Sequence, residues 1–174
     1  MNKQNLIVFD TEVSGLNDNA ELMSFAAVLV NDDIVEETLL TFPIEASVIN
    51  HPYYMDYISH EETNLVNQVN DLSRFLFMNK DYIWVGFNPS FDFKFIKKYL
   101  NKYDMKCPYI KCVDILSLAN YLVLKNELKP FKRLTELCEQ LSIDPIDYVG
   151  KCHLQADVRL YKDIFEKLNK ILKP

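Results

Sequence analysis

The chain has 174 residues and a formal net charge of −6. That length holds one domain with a substantial core and is short for two, and a composition that is 49% apolar and 25% charged excludes a disordered chain. The acidic balance excludes a protein that coats duplex DNA through a broad basic surface, but not an enzyme that handles one strand end with a few local cations.

Leu6-Ile-Val-Phe9 is a short continuous apolar run, the pattern of a strand buried on both faces. Two further strands are predicted over Leu22–Val30 and Ile34–Phe42, joined by a tight turn at Asn31-Asp32-Asp33. A capping box, Ser59-x-x-Glu62, opens a helix whose stripe is Leu65, Val69, Leu72 and Leu76. Tyr82–Val85 reads as a fourth strand, Ser90–Tyr103 as a helix and Tyr109–Val113 as a fifth strand. Helices then cover Ile115–Leu124, Phe131–Leu141 with Pro130 at its start, and Gln155–Leu172. The first three strands pair as an antiparallel meander, and the last two, separated by helices, lie parallel to the first. The expected architecture is an α/β domain over residues 1–174: a mixed five-stranded sheet with helices on both faces.

No apolar run approaches the roughly 20 residues of a membrane span. The opening Met-Asn-Lys-Gln-Asn, followed by only four strongly apolar residues, does not form a signal peptide. A cytoplasmic protein is expected, with Cys107, Cys112, Cys138 and Cys152 as reduced thiols rather than a zinc site.

The functional signal is a set of acids on faces that should be apolar. Residues two apart on a strand point the same way, so Leu6, Val8, Asp10 and Glu12 share one face, the two carboxylates about 6–7 Å apart. A bound cation would relieve both their repulsion and their lost hydration; the plainer alternative is a solvated acidic turn just past the strand. Asp92 heads the stripe Phe95, Ile96, Tyr99 and Tyr103, and Asp157 heads Leu160, Ile164, Leu168 and Ile171. Each acid alone could simply complement a helix dipole. Four core-facing carboxylates together, with His153 just upstream of Asp157, suit hard, oxygen-ligated cations such as Mg²⁺ or Mn²⁺. The three glycines, Gly15, Gly86 and Gly150, each sit beside one of these acidic motifs.

These motifs resemble a known family. Phe9-Asp-Thr-Glu12 with Ser14-Gly-Leu16 is similar to the first motif of the DEDD exonuclease superfamily, and Gly86-Phe-Asn-Pro-Ser-Phe-Asp92 to its second. His153-Leu-Gln-Ala-Asp157 resembles the third motif of the histidine-type (DEDDh, DnaQ-like) branch, and the stretches Cys112–Ala119 and Leu134–Cys138 resemble its connecting segments. The resemblance covers nearly the whole chain. It implies a ribonuclease-H-like fold and a 3′→5′ exonuclease that releases nucleoside 5′-monophosphates from single-stranded DNA or RNA by two-metal-ion hydrolysis. Asp10, Glu12, Asp92 and Asp157 would hold two Mg²⁺ or Mn²⁺ ions, and His153 would be the general base. Thr11 and Leu16 would border the terminal nucleotide, with Asn88 and Phe91 lining the same cleft. A separate polymerase or another nucleic-acid-processing protein is the partner such an enzyme would serve.

One departure stands out. Three residues separate His153 from Asp157, where the histidine branch usually has four; three is the spacing of the tyrosine-type branch. Competing readings are an inactive scaffold that docks on another protein, and a phosphodiesterase for very short oligonucleotides. Lys94, Lys97, Lys98 and Lys102 form one basic group and Lys125, Lys129, Lys132 and Arg133 another; a solvated face is favoured over phosphate contact for both. Tyr53, Tyr54 and Tyr57 either stack on bases or pack locally.

Overall fold

The computed structural model describes residues 5–17, 19–31, 34–42, 65–148 and 153–173. β1 (Leu6–Val13), β2 (Leu22–Asn31) and β3 (Ile34–Thr41) form an antiparallel meander. β4 (Ile83–Gly86) pairs parallel to β1, and β5 (Cys112–Asp114) parallel to β4, giving the order β3-β2-β1-β4-β5. The helices are α1 (Leu65–Met78), α2 (Pro89–Lys102), α3 (Ile115–Leu124), α4 (Leu134–Gln140) and α5 (His153–Leu172). This is the expected mixed sheet with helices on both faces.

Strand alternation divides the core into two layers. Ile7 and Phe9 of β1 point to one face, where they meet Val69, Leu72 and Leu76 of α1 and Phe95, Ile96 and Tyr99 of α2. Trp84 anchors this layer, 5.1 Å from Phe9 between ring centroids, with its Nε1–H donating to the Asn79 carbonyl at 2.9 Å. Val8 points to the other face, against Ile115 and Leu122 of α3, Leu137 of α4, and Ile164 and Leu168 of α5.

α5 opens two residues before the expected Gln155, a 3-10 turn spans Pro145–Tyr148, and further differences fall at β5, α4 and Ile171. β5 has three residues instead of five, paired with Trp84, Val85 and Gly86 of β4; Tyr109 lies outside the strand and is exposed. α4 starts at Leu134 rather than Phe131. The Glu136 carboxylate accepts from the N–H groups of Lys132 (2.6 Å) and Arg133 (3.4 Å), and Lys129 and Gln140 exchange two hydrogen bonds (2.7 and 3.1 Å), which holds the preceding segment outside the helix. Ile171 is exposed, since the last turn of α5 runs past the core. Ser59, Glu62, the three tyrosines at 53, 54 and 57, the Asp32-Asp33 turn, Gly150 and Cys152 lie outside the described residues. Among those described, Cys107, Cys112 and Cys138 are free thiols, and no helix is long and apolar enough to cross a membrane.

Candidate active site

β1 continues four residues past its apolar run, so Asp10 and Glu12 are ladder residues opposite Ala26 and Ser24, not members of a solvated turn. Their side chains leave the sheet on the face of Val8, beneath α5. α2 starts just after β4 and brings Asp92 in from the opposite layer; α5 brings Asp157. Strand and both layers thus meet at the C-terminal ends of the parallel strands β1 and β4, the edge at which such sheets bind ligands.

Thr11 lies between Asp10 and Glu12 and so points to the other face, toward α2. Asp92 is only 2% exposed and Thr11 7%. The Thr11 N–H donates to Asp92 Oδ1 at 3.1 Å, and its hydroxyl donates to the same oxygen at 2.6 Å. The hydroxyl expected beside a nucleotide is therefore engaged in holding a buried carboxylate. Thr11→Val, which keeps the shape and removes the hydroxyl, is expected to destabilise the metal-free protein by about 1–3 kcal/mol, the contribution of a buried hydrogen bond to a charged group; urea denaturation in chelator measures it.

The acids perturb one another. Burial raises the Asp10 carboxyl well above the ordinary carboxylate range, and Asp92, Asp157 and Glu12 add to the rise against a lowering hydrogen bond from the Thr11 backbone. Burial also raises Asp92, offset by hydrogen bonds from Thr11 and Asp10. Without a cation, then, both carboxyls are harder to ionise than a solvated carboxyl. The Tyr161 phenol is pushed up as well, first by burial and then by Asp10, Asp157, Asp92 and Glu12. Tyr161 stacks on Phe87 at 5.7 Å and belongs to the same acidic compartment. It follows Asp157 by four residues, one helical turn, a spacing visible in the sequence but overlooked there.

Carboxylates gathered in a partly dehydrated compartment suit a hard divalent cation, which wants oxygen ligands and would offset their charge. Among the described residues no three metal-ligating side chains are gathered at metal-binding distance.

His153 is the first residue of α5, one turn ahead of Asp157 on the same helix face; its side chain is outside the described residues. Leu16 is 82% exposed at the loop joining β1 to β2. Asn88 is exposed and in the left-handed conformation, its Oδ1 accepting from the Ser90 hydroxyl at 3.0 Å. Phe91 is half-buried, its ring 5.0 Å from that of Phe95.

Two of the basic residues on α2 have definite tasks. Lys98 Nζ donates to the Ala20 carbonyl at 2.7 Å, and Lys102 Nζ pairs with Glu21 at 2.9 Å, so both brace the β1–β2 loop. Ser14 and Glu21 close that loop with two hydrogen bonds, each 2.9 Å.

Sheet order, mixed pairing and two helical layers define a ribonuclease-H-like exonuclease fold. The chain belongs to the RNase T exonuclease family, whose model matches residues 7–153. Enzymes of this kind use divalent metal ions. No curated protein matches the chain. Among solved structures it is similar to the nuclease domain of 3'hExo, a DEDDh family member bound to rAMP, with a TM-score of 0.63, 17% identity, and coverage of 98% of this chain and 92% of that one. It is similar also to the EXO domain of Aedes aegypti Nibbler (TM-score 0.53, 16% identity, 98% and 80% covered). A third is a 3′-exonuclease that recognises the 3′ end of a histone mRNA stem-loop (TM-score 0.59, 15% identity); 96% of this chain is covered and 64% of that one.

Proposed function

We propose that the chain, as a single domain over residues 1–174, is a metal-dependent 3′→5′ exonuclease that removes nucleoside 5′-monophosphates from single-stranded 3′ ends. The observation that carries this reading is the convergence of Asp10, Glu12, Asp92 and Asp157 on one compartment at the end of β1, where burial first and then the charge of the other three raises Asp10. Membership of an exonuclease family supports it. RNA is put ahead of DNA as substrate because one similar enzyme is bound to rAMP and another recognises the 3′ end of an mRNA stem-loop.

In this reading the four carboxylates hold two Mg²⁺ or Mn²⁺ ions. Bound there, the ions would supply positive charge to activate the attacking water and stabilise the leaving 3′ oxygen. Asp92 is kept in place by the N–H and hydroxyl of Thr11, both on Oδ1, and is hydrogen-bonded to Asp10 as well. His153, one turn before Asp157, takes the proton from the attacking water; an unperturbed imidazole pKa of about 6.5 suits that task near neutral pH. The helical start at His153 supports this reading, since positions i and i+4 share a helix face. Leu16, the exposed apolar tip of its loop, packs against the terminal base, with Asn88 and Phe91 at the cleft wall.

Incubation of the protein with 5′-labelled RNA and DNA oligomers in Mg²⁺, Mn²⁺ or chelator tests the proposal. A ladder shortening from the 3′ end, absent in chelator and faster on RNA, is the expected result. No cleavage of either oligomer in either metal would sink it and leave the scaffold reading.

A further inference from the structure

The turn that delivers Asp92 is short and constrained. β4 ends at Gly86 and α2 begins at Pro89, leaving Phe87 and Asn88 to change the chain direction. A Cβ at Gly86 would come within 3.0 Å of the Pro89 side chain and 3.2 Å of the Phe9 ring, so the turn has no room to shift toward β1. Asn88 takes φ 57° and ψ 52°, a left-handed conformation that asparagine tolerates better than most residues. Its N–H, which precedes the helix and needs an acceptor from elsewhere, donates to Asp114 Oδ1 at 2.9 Å.

Asp114 does more than receive that bond. It is the N-cap of α3: the same Oδ1 accepts from the Leu116 N–H at 3.0 Å, and Oδ2 accepts from the Ser117 hydroxyl at 2.5 Å. It also lies opposite Gly86 in the parallel register of β4 and β5. One carboxylate thus ties the start of α3 to the residue from which α2 sets off, four positions ahead of Asp92.

We infer that Asp114 is a positioning residue for the metal site: by clamping Asn88 in its left-handed conformation it fixes where α2 begins, and so how Asp92 is presented to Asp10 and Thr11. The inference rests on the reading of Asp92 as a metal ligand. The plain alternative is that Asp114 merely caps α3. The two separate chemically. Serine is as good an N-cap as aspartate, but its side chain is one bond shorter and cannot also reach the Asn88 N–H. Asparagine keeps an oxygen for both N–H groups and loses only the acceptor for Ser117.

The test uses the whole chain. Thermal unfolding is followed in chelator and across a Mn²⁺ titration for wild type, Asp114→Ser and Asp114→Asn, alongside kcat and KM on a short RNA. Asp114→Ser is expected to unfold near wild type in chelator, yet to need about 10–100-fold more Mn²⁺ for half the metal-induced shift, the usual loss when a residue supporting a metal ligand is changed. Its kcat falls by a similar factor with KM nearly unchanged, and Asp114→Asn keeps the Mn²⁺ half-point within about threefold by retaining both N–H acceptors. A folded Asp114→Ser with the wild-type Mn²⁺ half-point and kcat overturns the inference. Should Asp114→Ser fail to fold, a folded Asp114→Asn weakened tenfold or more overturns it equally, since charge rather than the clamp would then govern. Absence of any Mn²⁺ shift in wild type removes the underlying metal-site reading and the inference with it, which is a separate result.

Discussion

Asp10→Ala is expected to slow 3′-end shortening by about 1000-fold or more while changing KM for the oligonucleotide far less. Asp10 is raised first by burial and then by Asp92, Asp157 and Glu12 together, more strongly than Asp92 is. In the proposed function its removal takes away the ligand common to the whole compartment and with it several kcal/mol of transition-state charge stabilisation. Each 1.36 kcal/mol is about tenfold in rate, so a loss of three decades follows. Single-turnover kinetics on 5′-labelled RNA in saturating Mn²⁺ measures the chemical step directly. A variant that retains a tenth of the wild-type rate would mean that the hydrolytic centre lies elsewhere.

Asp10→Asn is expected to behave oppositely toward stability. In chelator it should raise the unfolding temperature, and it should abolish stabilisation by Mn²⁺. The folded carboxyl holds its proton more tightly than the unfolded one. Folded protein therefore binds more protons than unfolded protein between the two pKa values, and stability falls as pH rises through that window. The favourable contribution is complete below about pH 3.9, the unfolded value, and is lost as pH climbs through the raised folded value. Asparagine has no charge to bury, so the wild-type minus Asp10→Asn difference should grow more negative from acid toward neutral pH. Relief of a buried uncompensated charge contributes about 1–4 kcal/mol, and each kcal/mol moves the midpoint of a domain this size by about 2–4 °C. Calorimetry at several pH values, with chelator or Mn²⁺, reads both effects. An Asp10→Asn midpoint below wild type in chelator at neutral pH would show that the carboxylate is not strained there.

Much of the fold was legible because periodicity reports burial locally. Ile7 and Phe9 against Val8, and the stripes headed by Asp92 and Asp157, follow from side-chain geometry within one element. The same alternation put Asp10 and Glu12 on one face, and the structure keeps them in the strand. What escaped was set by partners distant in the chain. Nothing near Thr11 reveals that its hydroxyl meets a carboxylate 81 residues later. Lys98 and Lys102 have the spacing of an ordinary wet face until the β1–β2 loop is seen beneath them. The late start of α4 depends on Glu136 competing for backbone N–H groups that Pro130 seemed to assign to the helix. Tyr161 is the exception, since one turn of α5 was enough to find it.

The grip of Lys98 and Lys102 on the β1–β2 loop has a mechanical consequence. Both lysines stand on the helix that begins beside Asp92, so α2 carries an acid at one end and the support of the Leu16 loop farther along. A tilt of this one rod would therefore shift the base of the Asp92 carboxylate and the two anchors of the Leu16 loop together.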